Sequence, residues 1–200
     1  MWSDLATTLT GTRVVLEPLA TRHEAALRAA AADARISTWF PLALHEAGQF
    51  DAWFDISREA FEERREVPFA TIDRASGAVL GSTRFMALRP EHRCVEIGGT
   101  WLAPAAWRTG ANVEAKLLML GHAFEQLGCI RVELKTDARN DRSRRAMEAL
   151  PAQFEGIHRQ HYVLRDGTLR DSAWYSVIDR EWPDVRANLE RRLACPPLSS

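Results

Sequence analysis

The alternation of apolar and polar positions divides the chain into strand-like and helix-like stretches with little between them. Arg13–Leu19 (RVVLEPL) is a β-rich run ending near Pro18 and predicts a first strand. Thr21 precedes HEAALRAAAAD with Glu24 at the third position beyond it, a capping-box start to an alanine-rich helix. Trp39-Phe40-Pro41 interrupts the helical pattern. A second helix is predicted from about Glu46 to Arg65, with Phe50, Trp53 and Phe54 at helical spacing and Ile56 and Phe61 fitting only loosely. Val67–Asp73 and Val79–Leu88 read as strands joined by the hairpin turn Arg74-Ala75-Ser76-Gly77. In the next strand, Arg93–Trp101, strict alternation sends Val95, Ile97, Gly99 and Trp101 to one face and Cys94, Glu96, Gly98 and Thr100 to the other. Glu96 then lies opposite the larger apolar side chains.

A helix from about Gly110 to Leu127 carries Val113, Leu117, Leu120, Phe124 and Leu127 on one stripe, and Gly128 is a natural stop. Ile130–Thr136 alternates Val132 and Leu134 against Arg131, Glu133 and Lys135, as a strand with one buried face does. A short helix follows from about Asp141 to Leu150, ended by Pro151. Phe154–Leu164 and Thr168–Ile178 flank Arg165-Asp166-Gly167, where Asp-Gly signals a hairpin, and Trp182–Leu193 reads as a terminal helix. The order β-α-α-β-β-β-α-β-α-β-β predicts an α/β (α+β) fold: one mixed, mostly antiparallel sheet with helices on both faces. Residues 1–12 read as an N-terminal arm, 13–194 as a single domain and 195–200 as a flexible tail.

Composition narrows the function classes. A formal net charge of −1 argues against a nucleic-acid binder that relies on a basic surface. Lys116 and Lys135 are the only lysines; the other basic residues are arginine. Cys94, Cys129 and Cys195 are scattered with no C-x-x-C, so neither a disulfide framework nor a zinc site is indicated. His158 and His161, three apart in a predicted strand, are expected to face opposite sides and not to chelate a metal. No stretch approaches the roughly 18 apolar residues of a membrane span, and the first residues carry no targeting pattern, so a cytoplasmic location is expected.

The candidate chemistry lies between Val95 and Ser143. No G-x-x-x-x-G-K-[ST] is present, and Gly98-Gly99 stands outside any G-x-G-x-x-G frame. Trp107-Arg108-Thr109-Gly110-Ala111-Asn112 leads into the long helix, and unpaired N–H groups at a helix start, with the dipole behind them, form an anion site. Gly110 permits close backbone approach, and Arg108 adds a cation. An ordinary loop into an amphipathic helix is the plainer reading.

The succession EIGGTWLAPAAWRTGANVEAKLLML … AFEQLGCIRVELKTDARNDRS resembles the GNAT acetyltransferase superfamily, in particular its RimJ/RimL-like branch, over essentially the whole chain. The family's Gln/Arg-x-x-Gly-x-Gly/Ala motif aligns as Trp107-x-x-Gly110-x-Asn112, with the central glycine kept, and Val113-Glu114-Ala115 approximates a T-E-A run. The resemblance implies a GNAT fold with a splayed central strand pair that admits the pantetheine arm of acetyl-CoA. It implies a pyrophosphate site at Trp107, Arg108, Thr109, Gly110, Ala111 and Asn112. A strand backbone N–H near Ile97, Gly98 and Gly99 would polarise the thioester carbonyl. Asn140 would contact the pantetheine, Glu96 would take the amine proton, and Ser143 would return one to the thiolate. The rival readings make Asn140 or Asp141 a helix N-cap, Ser143 a first-turn residue and Glu96 a solvated strand residue. Trp39, Phe40, Trp174 and Tyr175 are candidates to line the acceptor groove, with core packing as the alternative. The implied activity is acetyl-CoA-dependent N-acetylation of a primary amine on a peptide N-terminus or a small metabolite, with no acyl-enzyme. A non-catalytic CoA-binding domain is the rival, and self-association into a homodimer stays open.

Overall fold

A computed structural model describes Trp2 and residues 4–194. Met1, Ser3, Cys195 and the expected tail, 195–200, lie outside the described residues. The strands are β1 (Leu9–Thr10), β2 (Val14–Pro18), β3 (Val67–Asp73), β4 (Val79–Arg89), β5 (Cys94–Leu102), β6 (Arg131–Asp137), β7 (Gln153–Val163) and β8 (Leu169–Ile178). The helices are α1 (Glu24–Ala30), α2 (Gln49–Glu62), α3 (Ala111–Gly121), α4 (Asp141–Ala149) and α5 (Trp182–Ala194). All eight strands form one sheet in the order β1-β2-β3-β4-β5-β6-β8-β7. Every neighbouring pair is antiparallel except β5–β6, which is parallel because α3 crosses between them. The mixed, mostly antiparallel sheet with helices on both faces is thus the fold.

The two faces are filled differently. Val14, Leu16, Phe69, Phe85, Val95, Ile97, Val132, Leu134, Tyr175 and Val177 meet α3 and α5 through Met119, Leu120, Val185 and Leu189. On the other face Leu27 of α1 and Phe50, Trp53 and Phe54 of α2 cover Ala70 and Trp101. No helix among the described residues is long and apolar enough to cross a membrane.

Several local expectations change. Thr21 does not cap α1: Thr21–His23 is a 3-10 turn whose N-cap is Ala20, and the His23 ring nitrogen Nδ1 accepts from Ala20 N at 3.2 Å. Ile56 is 53% exposed and lies off the buried stripe of α2. α3 ends at Gly121 and passes into a single π turn, His122–Gln126. Its innermost residues are Ala111, Glu114, Ala115, Lys116, Met119 and Leu120, so of the predicted stripe Leu120 and Leu127 are buried while Val113, Leu117 and Phe124 are half-buried. The difference arises because α3 is covered on two sides, by the sheet and by α5. Glu114 explains its own burial: its carboxylate accepts from Thr12 N (3.0 Å), Thr12 Oγ1 (2.6 Å), Arg13 N (2.6 Å) and Val14 N (2.7 Å), locking the β1–β2 turn to α3. The arm is also part of the core, with Leu5 and Leu9 buried and the Trp2 indole N–H donating to Leu127 O at 2.8 Å.

Candidate active site

The site begins with a break in the sheet. β5 and β6 pair at Cys94–Arg131, Val95–Val132 and Glu96–Glu133, and no further. Beyond that point β5 is held only by β4, and β6 only by β8, so a wedge opens between Ile97–Leu102 and Leu134–Asp137. A bulge accompanies the divergence. Ser82 pairs with Trp101 and Arg84 with Gly98, leaving Gly99 and Thr100 opposite the single residue Thr83. Gly99 has φ of +56°, and a β-carbon there would lie 2.6 Å from Arg84 Nε, so the bulge needs glycine twice over.

The bulge also corrects the predicted alternation. Thr100 turns to the α3 face, where its Oγ1 meets Thr83 Oγ1 at 2.8 Å and Lys116 Nζ at 2.7 Å. Trp101 turns to the α2 face and packs edge-on against Trp53 with ring centroids 5.4 Å apart. Strict period-two reasoning holds only to Gly98, because one extra residue moves every later side chain to the other face. Glu96 precedes the bulge and lies opposite Val95 and Ile97 as expected.

One lip of the wedge is the start of α3. Arg108 and Gly110 have φ of +64° and +90°. The first helical bond runs from Glu114 N to Gly110 O at 2.9 Å. Among the described residues the N–H groups of Arg108, Thr109, Gly110, Asn112 and Val113 meet no acceptor, while Ala111 N reaches Thr109 Oγ1 at 3.3 Å. Such a run of unsatisfied donors suits a pyrophosphate. A β-carbon on Gly110 would come no nearer than 3.5 Å to the Arg13 side chain, so the requirement for glycine is its φ. Trp107 anchors the loop through its indole N–H to Leu102 O (2.8 Å), and the guanidiniums of Arg142 and Arg35 lie 4.2 and 5.4 Å from its ring. Arg142 belongs to the opposite lip, the start of α4. There Asn140 Oδ1 accepts from Ser143 N at 3.1 Å and caps the helix, and the Ser143 hydroxyl makes no hydrogen bond among the described residues.

At the apex stands Glu96, buried and bonded through Oε2 to Lys135 Nζ. Burial raises its carboxyl above the ordinary carboxylate value despite the pull of Lys135. Its Oε1 has no hydrogen-bond partner among the described residues and sits beside Gly98, where a β-carbon would be 3.0 Å away. Glu133, Lys135 and Asp137 share this face with Trp174 and Ser172 of β8 through direct strand pairing. Lys135 Nζ lies 5.1 Å from the Trp174 ring and 5.9 Å from that of Tyr162.

The other sequence candidates separate. Trp174 is on the Glu96 face. Tyr175, one residue on, is fully buried on the opposite face, bonded to Arg144 and Glu148 at 3.1 Å each, and lines no groove. Trp39 stacks under Arg139 at 5.3 Å. Phe40 lines a cleft of about 100 Å³ with Ser37, Thr38, Pro41 and the hairpin residues Leu164, Arg165 and Asp166. His158 and His161 do not face apart. β7 slips register between His158 and Tyr162, with Gln160 at φ of +50°, and both rings turn onto Trp174 at 4.6 and 5.8 Å. Cys94 and Cys129 are buried and free; burial pushes both thiols up, Cys129 to about 12, which suppresses the thiolate.

Lys135, Lys116 and Arg170 were not singled out from the sequence. For Lys135 and Lys116 the usable signal was present: they are the only two lysines in an arginine-rich chain.

The site thus joins a strand wedge, a helix start with unsatisfied N–H groups at its mouth and a buried carboxylate at its apex, and the class of protein is an acetyltransferase. The model of the acetyltransferase (GNAT) domain matches residues 13–153, and the chain belongs to that family. It is 30% identical over 118 residues to the uncharacterized N-acetyltransferase YoaA of Bacillus subtilis (strain 168), covering 59% of this chain and 66% of that protein. It is similar to a GCN5-related N-acetyltransferase from Brucella melitensis, with 34% identity and a TM-score of 0.86 over 93% of this chain and 85% of that one. RimJ of Mycobacterium smegmatis, solved with CoA-disulfide, shares the fold at a TM-score of 0.80 and 21% identity over 96% and 97% of the two chains.

Proposed function

We propose that the chain transfers an acetyl group from acetyl-CoA to a primary amine by direct attack, as a member of the RimJ/RimL-like branch. The observation that carries this reading is the wedge between β5 and β6 with a run of unsatisfied N–H groups at its mouth. The CoA-disulfide named with the RimJ structure lends support to the same cofactor class. In this reading Trp107, Arg108, Thr109, Gly110, Ala111 and Asn112 hold the pyrophosphate, with Arg142 closing on Trp107 from the other lip. Ile97, Gly98 and Gly99 present the open edge of β5 to the pantetheine and thioester, and Asn140 borders the arm. Acetyl-CoA, when bound, supplies an activated acyl group; the protein supplies position and protons.

An alkyl ammonium must lose a proton before it can attack. Glu96 Oε1 is the free oxygen at the apex, and burial raises its affinity for a proton, as suits a general base. Ser143 has an uncommitted hydroxyl to give a proton to the departing thiolate. Trp39, Phe40 and Trp174 border the acceptor side. Excess acetyl-CoA should raise the melting temperature, since a ligand at about 100 times its dissociation constant adds about 2.7 kcal/mol. Gly110→Glu should abolish that shift, and no shift in the parent protein at millimolar cofactor defeats the proposal. A non-catalytic acyl-CoA-binding domain is the second reading, favoured by one observation: Asn140 is spent on capping α4. Release of free thiol in the presence of an amine panel separates the two.

A further inference from the structure

Resting on the acetyltransferase reading, we infer that the amine acceptor carries a carboxylate, and that Arg170 is the residue that receives it. Arg170 lies on β8, on the Glu96 face, paired with Tyr162 of β7. It is only half-exposed, its Nε is sealed from solvent, and its side chain makes no hydrogen bond or ion pair among the described residues. A partly desolvated guanidinium without an anion carries a cost that a bound anion would remove.

The neighbouring carboxylates each bond another group and none bonds Arg170. Asp137 is gripped by Arg139, with Nε to Oδ1 at 2.9 Å and Nη2 to Oδ2 at 2.8 Å. Glu96 is bonded to Lys135. Asp171 accepts from Gln160 N at 2.7 Å. Burial accordingly lowers the Arg170 guanidinium from its ordinary value, and the fields of Asp137 and Glu96 oppose this without a direct bond.

The guanidinium lies on the sheet face that carries Glu96 and Lys135. It lies 5.3 Å from the Tyr162 ring, whose centroid is 5.9 Å from Lys135 Nζ, so Arg170 and Lys135 stand within about 11 Å of each other. Trp174 is the direct β8 partner of Lys135, two same-face positions along the strand from Arg170. An unpaired guanidinium whose terminal nitrogens stay open to solvent, on the sheet face that also carries Glu96, is the complement of a molecule with an ammonium at one end and an oxyanion at the other. The planar fork of arginine favours a carboxylate, which it can grip with two parallel bonds.

The experiment is acetyl transfer by the full chain to matched amines: the ω-amino carboxylates from glycine to 6-aminohexanoate against n-alkylamines of equal length. A second arm sets peptide amides beginning with Asp or Glu against those beginning with Asn or Gln, which separates a free amino acid from an acidic peptide end. The acid-bearing member of the productive pair should be favoured in kcat/KM by about 30-fold or more, the scale of a desolvated, doubly bonded charge pair. Arg170→Met should bring that ratio toward one while melting no lower than the parent without acceptor, because it removes an unanswered charge. The inference is overturned by a parent ratio near one, by a ratio that survives Arg170→Met, or by an Arg170→Met melting temperature well below the parent's, which makes Arg170 structural. It is also overturned if acetyl-CoA raises the melting temperature and yet no acid-bearing amine is acetylated. Absence of the acetyl-CoA shift defeats the underlying reading instead.

Discussion

Replacing Lys116 with methionine is expected to stabilise the protein at neutral pH and to remove part of its pH dependence. Lys116 points from α3 into the sheet and is 7% exposed. Its ammonium has only hydroxyl partners, Thr100 Oγ1 at 2.7 Å and Thr83 Oγ1 at 3.3 Å, and forms no ion pair among the described residues. Burial pulls its pKa down from 10.5 to about 7. The unfolded chain therefore binds the extra proton between those values, so stability rises with pH from about 7 to 10.5, and the full penalty applies below 7. That gap is worth about 5 kcal/mol at low pH, and about 2 kcal/mol of it should be recovered between pH 7 and pH 9. Methionine keeps the length of the chain and removes the charge. Thr83 and Thr100 stay satisfied because they already bond each other at 2.8 Å. Urea unfolding of both proteins at pH 7, 8 and 9 measures the effect: the stability advantage of Lys116→Met should shrink steadily as pH rises. Parallel stability curves for the two proteins refute the argument, and with it the buried, poorly answered ammonium.

Glu96→Gln should lower turnover by about 10²–10⁴-fold, the usual worth of a general base, and keep the acetyl-CoA melting shift. In the parent, the acid limb of the pH–rate profile should lie above the ordinary carboxylate range, because burial raises Glu96; a limb at the ordinary value contradicts the assignment. Asn140→Ala should cost about 1 kcal/mol in chemical denaturation as a lost N-cap. Ser143→Ala should leave stability unchanged and slow a chemistry-limited turnover near the lower end of the acid–base range, about 10²-fold. Unaltered turnover reduces Ser143 to a first-turn residue.

The strands were legible because each buries one face against a helix layer, and Val67–Asp73 falls on its predicted ends. What escaped was every feature set by a contact distant in sequence or by a backbone irregularity. β1 is two residues long and exists because Glu114, about a hundred positions away, gathers the N–H groups that follow it. The reversal at Thr100 and Trp101 and the convergence of His158 and His161 both follow from bulges, which add residues that a period-two pattern cannot count. The helix start at Gly110 and the carboxylate at Glu96 were legible through the family resemblance and the local pattern together. Arg170 was not, since in sequence it is one arginine of many in a hairpin; only the inventory of its neighbours' bonds shows that it lacks one.

That inventory separates the charges that serve the fold from those that burden it. Glu114 is answered by four donors, Glu133 by Arg89 and Arg131, and Arg84 by Glu66 at 2.7 Å and Ser57 at 2.9 Å. Lys116 and Arg170 are not so answered. Lys116 lies against the bulge that accompanies the opening of the wedge, through Thr100, and Arg170 lies on the wall that faces Glu96. Replacing Lys116 with an apolar residue of similar length is neutral or favourable for a buried charge without an ion-pair partner, and Arg170 is half-exposed with no partner of its own among the described residues. For Arg170, on the Glu96 face, the missing partner is the ligand inferred above; Lys116, on the α3 face, has only its two threonine hydroxyls. The two need not share one ligand group. Arg170 faces the acceptor side and Lys116 the α3 side, so an acid-bearing acceptor should relieve the first and leave the pH signature of the second intact.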